Sequence, residues 1–358
     1  MNNLIKEEIK LCKDIIEEIK VNAKKKINIM EVCGTHTRSI YKYGIDKILP
    51  ENIKLISGPG CPVCVTGESF IENAIELSRR ENIIIATFGD MIKVPCSKGS
   101  LRREKAKGRD IRVITSPIQA LNIAKNNEDK LIIFLGVGFE TTMPAIAVLL
   151  KKIKENNINN FYILQEGKQM PKVIETLLED KDIKINGFLV PGHVSTVIGV
   201  EEFRELGERY SVPMVVSGFG CLDILGSILM IVKMINKKDY NLKNLYKRAV
   251  RNSGNIEAKN ILNEVFFTSS GMWRGLGEIN GTGYDLREEY EKYDARLYFK
   301  LDDNKEYMDT GCICGDILKG KKTPNECKLF KKVCNPNNPK GPCMVSNEGT
   351  CSILYSYR

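Results

Sequence analysis

Eight short apolar runs alternate with amphipathic helical segments through the first two thirds of this 358-residue chain, and each run stops at glycine, proline or a small polar residue. The runs are INIMEVCG, NIKLISGPG, NIIIATFGD, IRVITSP, KLIIFLGVGFETT, NFYILQ, INGFLVPG and VPMVVSGFG. Strands that alternate with helices are typical of parallel sheets with helical crossovers. Because eight strands are many for one such sheet, the pattern predicts an α/β fold with two similar parallel-sheet lobes and a central cleft.

Changes of composition divide the chain into five predicted parts. We expect an N-terminal helix over 1–24, lobe I over 25–118, lobe II over 119–225, a helical connecting region over 226–310 that packs on the lobes, and a small domain over 311–358. The last part carries six of the twelve cysteines with four prolines and few apolar runs. Such a segment cannot build a core alone, so a metal or covalent bonds must hold it together.

The N-terminal segment and the charge distribution indicate a cytoplasmic protein. MNNLIKEEIKLCKDIIEEIK reads as an amphipathic helix rather than an export signal, and no apolar run approaches the roughly 20 residues that cross a bilayer. We therefore expect no membrane association, and cysteines that are reduced or hold metal. The net charge of +9 is spread over helices without a basic block interleaved with aromatics, so we expect no nucleic-acid partner.

The cysteines of the last part predict a metal or cluster site. Thiolates are soft ligands that bind zinc or iron–sulfur clusters. Paired CxxC knuckles, which are common in zinc sites, are missing, and prolines near the cysteines favour [4Fe-4S]. Four ligands would leave two cysteines for a redox dithiol, and the sequence does not say which two. The candidates are Cys312, Cys314, Cys327, Cys334, Cys343 and Cys351.

Two further thiol motifs follow the first two predicted strands. In EVCGTHT, Cys33 precedes His36 by three residues, which fits an activated thiolate, a metal ligand or an ordinary buried cysteine. In CPVC, Cys61 and Cys64 fit a redox dithiol or a metal site equally, and the next helix is expected several residues later. Because successive strand ends lie at one edge of a sheet, these three thiols and His36 are expected to form one site.

Two other strand ends carry polar candidates. Glu140 lies in GVGFETT, which is a weak match to a phosphate-binding loop because it has no lysine, so Glu140 is interpreted as a polar group of the cleft. His193 in PGHVSTVIG fits an acid/base group, a ligand or a structural histidine equally. A serine hydrolase is disfavoured because the nucleophile-elbow pattern is missing.

Together the motifs resemble the HypD family of [NiFe]-hydrogenase maturation factors. EVCGTHT, GPGCPVC, TFGDM, IRVITSP, GFETT, PGHVSTVIG, MWRGLG, CGDILKG, PNECKLF and GPCMVSNEGTC occur in the family's order from about residue 28 onward. The resemblance implies a scaffold with redox activity, rather than a conventional turnover enzyme, on which the Fe(CN)2CO group of [NiFe]-hydrogenases is assembled. It also implies a complex with the chaperone HypC, transient contact with HypE, which supplies cyanide with HypF upstream, and a monomer outside the complex.

The resemblance also implies roles for individual residues. Cys33 would be the main ligand of a mononuclear Fe(II) cargo that carries CO and cyanide, shared with a HypC cysteine, and Cys61 and Cys64 would be iron or redox groups. The C-terminal cysteines would hold a [4Fe-4S] cluster beside a thiol pair that passes electrons toward CPVC, as in ferredoxin:thioredoxin reductase. The residues expected to carry the chemistry are Cys33, His36, Cys61, Cys64, Glu140 and His193.

Two positions depart from the family pattern, and two other functions stay open. Cys96 stands where the family has glycine, and Gly220 and Cys221 stand where it has Glu-Pro.

One alternative is a [4Fe-4S]-dependent thiol–disulfide oxidoreductase that acts through Cys61 and Cys64. The other is an interaction protein whose terminal domain is stabilised by zinc.

Overall fold

The computed structural model describes residues 2–302 and 311–358. Residue 1 of the predicted N-terminal helix and residues 303–310 of the predicted connecting region lie outside this part. All eight predicted strands are present, and the prediction of an α/β fold with parallel sheets is confirmed. The strands are β1 (Ile27–Glu31), β2 (Ile53–Ser57), β3 (Ile83–Phe88), β4 (Ile111–Ile114), β5 (Leu131–Gly138), β6 (Phe161–Gly167), β7 (Gly187–Pro191), β8 (Met214–Ser217), β9 (Lys243–Asn244), β10 (Phe266–Trp273) and β11 (Gly277–Leu286).

Helices connect these strands and cover their faces. The α-helices are α1 (Asn2–Asn22), α2 (Gly34–Lys42), α3 (Ile45–Ile48), α4 (Pro62–Val65), α5 (Glu68–Arg79), α6 (Leu101–Ala106), α7 (Ile118–Lys125), α8 (Met143–Glu155), α9 (Met170–Glu179), α10 (Gly192–Ile198), α11 (Glu201–Tyr210), α12 (Cys221–Lys237), α13 (Ile256–Val265), α14 (Ala295–Phe299), α15 (Cys314–Leu318) and α16 (Thr350–Tyr357). The 3-10 turns are η1 (Met91–Lys93), η2 (Glu288–Tyr293), η3 (Pro324–Glu326) and η4 (Pro342–Met344). None of the helices in residues 2–302 and 311–358 is long and apolar enough to cross a membrane.

The strands are divided between two sheets differently from the predicted boundary at 118/119. Sheet A has the order β2-β1-β7-β8-β9 and sheet B the order β4-β3-β5-β6, and all neighbours in both sheets are parallel. The chain leaves sheet A after β2, builds all of sheet B, and returns at β7 to pair with β1. Strands that are buried on both faces all have similar apolar sequences. The sequence therefore predicts where these strands are but not which strands pair with each other.

The predicted helical connecting region contains a long β-hairpin. β10 and β11 pair antiparallel from Phe266↔Leu286 to Trp273↔Gly277, with an irregularity between Ser269 and Gly271. Buried and exposed side chains do not alternate regularly along β10, because a run of exposed and partly exposed residues separates Phe266 from the buried Gly271 and Trp273. The sequence pattern therefore gave no strand signal here. The hairpin contacts α9 and β6 and thereby joins the edge of sheet B to the surface of sheet A.

The N-terminal helix packs on the fold through its apolar stripe. Cys12, Ile15, Ile16, Ile19 and Ala23 follow helical spacing and belong to a core formed with α12 on one face of sheet A. Residues 5–11 of α1 are exposed. The helix is therefore attached through its second half.

The C-terminal residues share a core with sheet A. Phe188 and Val190 of β7 lie in one cluster of buried side chains with Ile317, Phe330 and Leu354. α16 contacts α2, and η4 contacts α4. The cysteine-rich segment is thus fixed against the loops that follow β1 and β2.

The close approach of those loops leads to a stability prediction. A methyl group on Gly60 would overlap the backbone of Val32 and Cys33, whereas one on Gly226 of α12 would meet nothing within 4 Å. We expect Gly60→Ala to lower the free energy of unfolding by about 1–3 kcal/mol. Gly226→Ala should raise it by about 1 kcal/mol, because alanine is the better helix former.

Urea unfolding followed by circular dichroism compares the two variants with the wild type. Equal midpoints for Gly60→Ala and Gly226→Ala would contradict the close contact at Gly60.

Candidate functional site

Cys33 stands between the end of β1 and the first turn of α2. Its backbone N–H donates to Oε2 of Glu31 at 3.0 Å, and the hydroxyl of Thr37 donates to Oε1 of the same carboxyl. Burial raises the pKa of Glu31 to about 8. Burial, and then the nearby carboxylate of Glu348, raise the pKa of the Cys33 thiol to about 12. The thiol is therefore protonated until a metal or another electrophile displaces the proton.

The two histidines of the chain stack on opposite sides of one phenylalanine. The ring centroid of Phe219 lies 4.6 Å from that of His36 and 3.9 Å from that of His193. Nε2 of His36 donates to the carbonyl oxygens of Gly218 at 3.0 Å and Ser217 at 3.3 Å, so this nitrogen carries the proton. Burial lowers the pKa of His36 to about 4.

This stack leaves one imidazole nitrogen available. Nδ1 of His36 is buried and has no hydrogen-bond partner in the described part of the chain. It keeps a free lone pair because the ring is neutral. His193 is exposed, so the stack leads from the buried His36 to the surface.

The CPVC segment forms a short helical turn, α4, that the sequence did not predict, while the predicted helix begins several residues later, as expected, with α5 at Glu68. Cys61 is the N-cap of α4 and is joined to Cys64 by a disulfide. Sγ of Cys64 lies 3.9 Å from the carbonyl oxygen of Pro342 in η4. α4 also contacts β5 of sheet B. The disulfide therefore lies where sheet A, sheet B and the C-terminal segment meet.

Three thiol-bearing segments converge at this point. The N–H of Gly34 donates to the carbonyl oxygen of Gly60 at 3.0 Å, which joins the loop of Cys33 to the CPVC turn. The hydroxyl of Thr35 donates to Oε1 of Glu348 at 2.8 Å, which joins the same loop to the C-terminal segment. These contacts place the Cys33 loop, CPVC and the C-terminal cysteines side by side.

The six C-terminal cysteines line one small cavity. The other lining residues are Ile317, Leu329, Phe330, Gly341 and Met344, so every group there that could bind a metal is sulfur. The cysteines are Cys312, Cys314, Cys327, Cys334, Cys343 and Cys351. No group of three or more metal-binding side chains in residues 2–302 and 311–358 is already arranged around one ion position. The donor set nevertheless fits an iron–sulfur cluster or zinc, both of which select thiolates.

A buried arginine contacts the residue that follows the CPVC motif. Arg274 follows Trp273 at the end of β10, and the residue is only 6% exposed. Its guanidinium contacts Oε2 of Glu68 and the carbonyl oxygen of Pro95 at 3.4 and 3.3 Å, and its backbone N–H donates to the carbonyl oxygen of Val65 at 2.9 Å. These contacts fix a cation directly after the CPVC turn.

The positive charge of Arg274 acts on the cavity thiols. The pKa values of Cys312, Cys314 and Cys343 all lie above the usual range. Hydrogen bonding to Cys314 raises the pKa of Cys312, whereas hydrogen bonding to a neighbouring thiol lowers the pKa values of Cys314 and Cys343. Burial raises the pKa of all three, and the guanidinium of Arg274 opposes the rise at all three. Burial raises the pKa of Cys351 and Cys334 as well. Arg274 is therefore placed to favour negative charge on the sulfurs.

Glu140 follows the end of β5 and contacts the start of α9. One carboxyl oxygen accepts from the N–H of Met170 at 2.7 Å at the start of α9, and the other is buried without a partner in the described residues. Burial raises the pKa of Glu140 to about 8. The carboxyl is neutral at pH 7 and joins the start of α9 to β5.

Sequence patterns alone did not single out five residues that organise this site. Glu31 and Glu348 stand inside the quoted motifs EVCGTHT and GPCMVSNEGTC, and Arg274 stands inside MWRGLG. Phe219 and Gly60 sit in glycine-rich turns. Their roles depend on which loops touch, and that information is missing from local sequence patterns.

Comparison with known proteins gives consistent matches over nearly the whole chain. The family model described as "HypD: Hydrogenase formation hypA family" matches residues 10–358. A putative hydrogenase expression/formation protein of Methanocaldococcus jannaschii is 44% identical over 350 residues, which are 97% of each chain. The hydrogenase maturation factor HypD of Escherichia coli is 40% identical over 94% of this chain and 90% of its own. That of Cupriavidus necator is 39% identical over 97% and 94%.

The raised pKa of Glu140 predicts a pH effect on stability. The pKa of this carboxyl is about 8 in the folded chain, compared with 4.5 in the unfolded chain. It therefore destabilises the fold progressively as pH rises from 4.5 to 8. Glu140→Gln replaces it with a neutral group that still accepts from Met170. We expect this variant to gain on the order of 2–3 kcal/mol at pH 7, and little at pH 4.

Denaturant unfolding at several pH values measures this effect, with the exposed Glu128→Gln as the matched control. Between pH 4.5 and 8, the free energy of unfolding should fall less steeply with pH in Glu140→Gln than in the wild type. Part of the fall that remains in the variant is due to Glu31. If the free energy of unfolding depends on pH identically in the wild type and in Glu140→Gln, the buried carboxyl is ionised and the prediction is wrong.

Proposed function

The chain belongs to the HypD family of hydrogenase maturation factors, and on that basis we propose that it is the scaffold on which the Fe(CN)2CO group of [NiFe]-hydrogenases is assembled. One observation supports this assignment above the others. The loop of Cys33, the disulfide of Cys61 and Cys64, and a cavity lined by six cysteines converge within one contiguous region. A binding thiol, a two-electron couple and a sulfur-only cavity are the parts that such an assembly requires.

Cys33 is proposed to hold the iron cargo. A low-spin Fe(II) that carries CO and cyanide needs soft, electron-rich ligands, and a thiolate supplies them. Because the pKa of Cys33 is about 12, iron binding displaces the thiol proton. The hydrogen bond from the Cys33 N–H to Glu31 fixes the backbone of this ligand. A neutral His36 three residues further along the chain adds no positive charge that would repel the metal.

The pair Cys61 and Cys64 is proposed to supply the electrons that release cyanide. Cleavage of a sulfur-bound cyano group on a partner takes two electrons and yields a thiol and cyanide. The reduced pair gives up two electrons and two protons and closes to its disulfide. One proton goes to the partner's sulfur and the other to cyanide, so atoms and charges balance.

The C-terminal cysteines are proposed to hold a [4Fe-4S] cluster through four of their six thiols. When bound, such a cluster transfers one electron at a time and could regenerate the Cys61–Cys64 dithiol. The sulfur-only lining of the cavity and the nearby charge of Arg274 support the proposal. The 3.9 Å approach of Cys64 to η4 brings the disulfide against the segment that carries Cys343.

The proposed partners are HypC, which would share the iron through a cysteine, and HypE, which would deliver cyanide made with HypF. His193 is exposed and is separated from the buried His36 by Phe219, which supports approach of a partner from this side. Outside these complexes the protein is proposed to be a cytoplasmic monomer.

A cluster-dependent thiol–disulfide oxidoreductase is the second candidate, favoured by the disulfide beside the cysteine cavity. Such an oxidoreductase would turn over a dithiol substrate without bound mononuclear iron, whereas the scaffold would bind the iron. A zinc-stabilised terminal segment is also compatible with thiol ligands, and it predicts a colourless protein with stoichiometric zinc after anaerobic preparation.

Infrared spectroscopy tests the scaffold directly. We expect protein produced anaerobically with HypC, HypE and HypF to show cyanide and CO stretching bands. Cys33→Ala should abolish these bands because the ligand is lost, with the circular dichroism spectrum unchanged. Cys96→Ser is the matched control, because it removes a partly buried thiol outside CGTHT and CPVC and should keep the bands.

The role of CPVC is tested in the same preparation. Cys61→Ser and Cys64→Ser should each lose the cyanide bands, since a single thiol cannot form the disulfide. A wild-type complex without these bands would contradict the scaffold, and a fully cyanide-ligated iron in both serine variants would contradict the electron-donating role of CPVC.

Arg274 gives a test of the cysteine cavity. If a cluster is bound, loss of a nearby buried positive charge disfavours its reduced form. We expect Arg274→Met to lower the reduction potential by on the order of 50 mV in titrations followed by electron paramagnetic resonance. Arg274→Lys keeps the charge and should stay near the wild-type potential. If wild-type protein prepared anaerobically is not brown, the cluster itself is excluded.

A further inference from the structure

Two cysteines outside the site lie against each other across the interface of α1 and α12. Sγ of Cys12 is 3.8 Å from Sγ of Cys221, although 209 positions separate the residues. Both residues are partly exposed. Neither has a role in the proposed assembly of iron.

The position of Cys221 connects this pair to the site. Cys221 is the first residue of α12 and directly follows loop 217–220. That loop supplies the carbonyl oxygens of Ser217 and Gly218, which accept from His36, and the ring of Phe219, which lies between the two histidines. A restraint on Cys221 therefore acts on the backbone that orients His36.

The position of Cys12 makes such a restraint effective. Residues 5–11 of α1 are exposed, and Cys12 is the first residue of the apolar stripe that packs against α12. A covalent bond here would attach the helix at the point where its packing begins. Disulfides have an S–S distance of about 2.0 Å, so the two sulfurs need to approach by somewhat less than 2 Å, which side-chain rotation and a small shift of α1 supply.

We propose that Cys12 and Cys221 form a reversible disulfide that ties α1 to loop 217–220 and so couples the thiol redox state to the support of His36. The oxidant is a small-molecule disulfide such as oxidised glutathione. One thiol attacks it and releases one glutathione thiol, and the second thiol then displaces the other glutathione from the mixed disulfide. Two protein thiols are oxidised, two glutathione sulfurs are reduced and take up the two protons, and one S–S bond forms.

Peptide mapping of the full-length chain tests bond formation. The protein is incubated anaerobically with oxidised glutathione for hours, because burial and the neighbouring Cys12 raise the pKa of Cys221 to about 12 and slow the exchange. Free thiols are then alkylated, and fragments are analysed by mass spectrometry without reduction. We expect a fragment pair linked through Cys12 and Cys221 that dithiothreitol separates, that Cys12→Ser and Cys221→Ser each abolish, and that the control Cys96→Ser retains.

Hydrogen exchange tests the coupling to the site. The linked wild type should exchange the amides of loop 217–220 several-fold more slowly than the reduced form, and its Tm should rise by about 5 °C, because the bond closes a loop of about 200 residues. Cys12→Ser treated with oxidised glutathione should show neither change.

Two outcomes would overturn the proposal. If each thiol is glutathionylated separately and no linked pair forms, the disulfide is excluded. If the pair is linked but exchange in loop 217–220 is unchanged, the coupling to the site is excluded. Both readouts use the protein without iron or partners, so they are independent of the proposed assembly function.

Discussion

The contact between the loops after β1 and β2 is the constraint on which the candidate site depends. The Gly34 N–H donates to the carbonyl oxygen of Gly60, and the backbone of Cys33 occupies the space that any side chain at residue 60 would need. Because β1 and β2 are parallel neighbours, their carboxyl ends meet at one edge, and two thiol motifs separated along the chain become adjacent in space. The C-terminal segment then completes the region through Glu348 and η4.

The sequence predicted the elements better than their arrangement. Apolar runs located all eight strands of the predicted set, and glycine at their ends located the loops of the candidate site, because these signals are local. The neighbours of each strand depend on tertiary pairing, so the return of β7 to β1 and the hairpin of β10 and β11 were missed. The same limit applies to the site. Cys33 and CPVC could be found from spacing, whereas Arg274 and Phe219 matter only through contacts made across the fold.

Burial sets the charge state of the region. The carboxyls of Glu31 and Glu140 and the thiol of Cys33 are held in their neutral forms, and His36 is held neutral too, because each lies in a poorly solvated environment. Arg274 is a buried cation near the thiols and is partnered by Glu68. A metal that binds at Cys33 enters surroundings with few ionised side chains apart from the carboxylate of Glu348, so its own charge and that of its thiolates are the main electrostatic contributions.

The crossing of the chain between the sheets has a consequence for folding. Sheet B is formed by consecutive strands from Ile83 to Gly167, so its contacts close short loops. In sheet A, β1 can pair with β2 early, but the other edge of β1 stays unpaired until β7 is made, since Ile29 pairs with Gly187. Sheet B and its helices can therefore form while a growing chain still lacks β7. During synthesis the CGTHT and CPVC thiols emerge early but acquire their buried surroundings only after β7 and the C-terminal segment arrive. For that interval they are open to premature oxidation or metal capture.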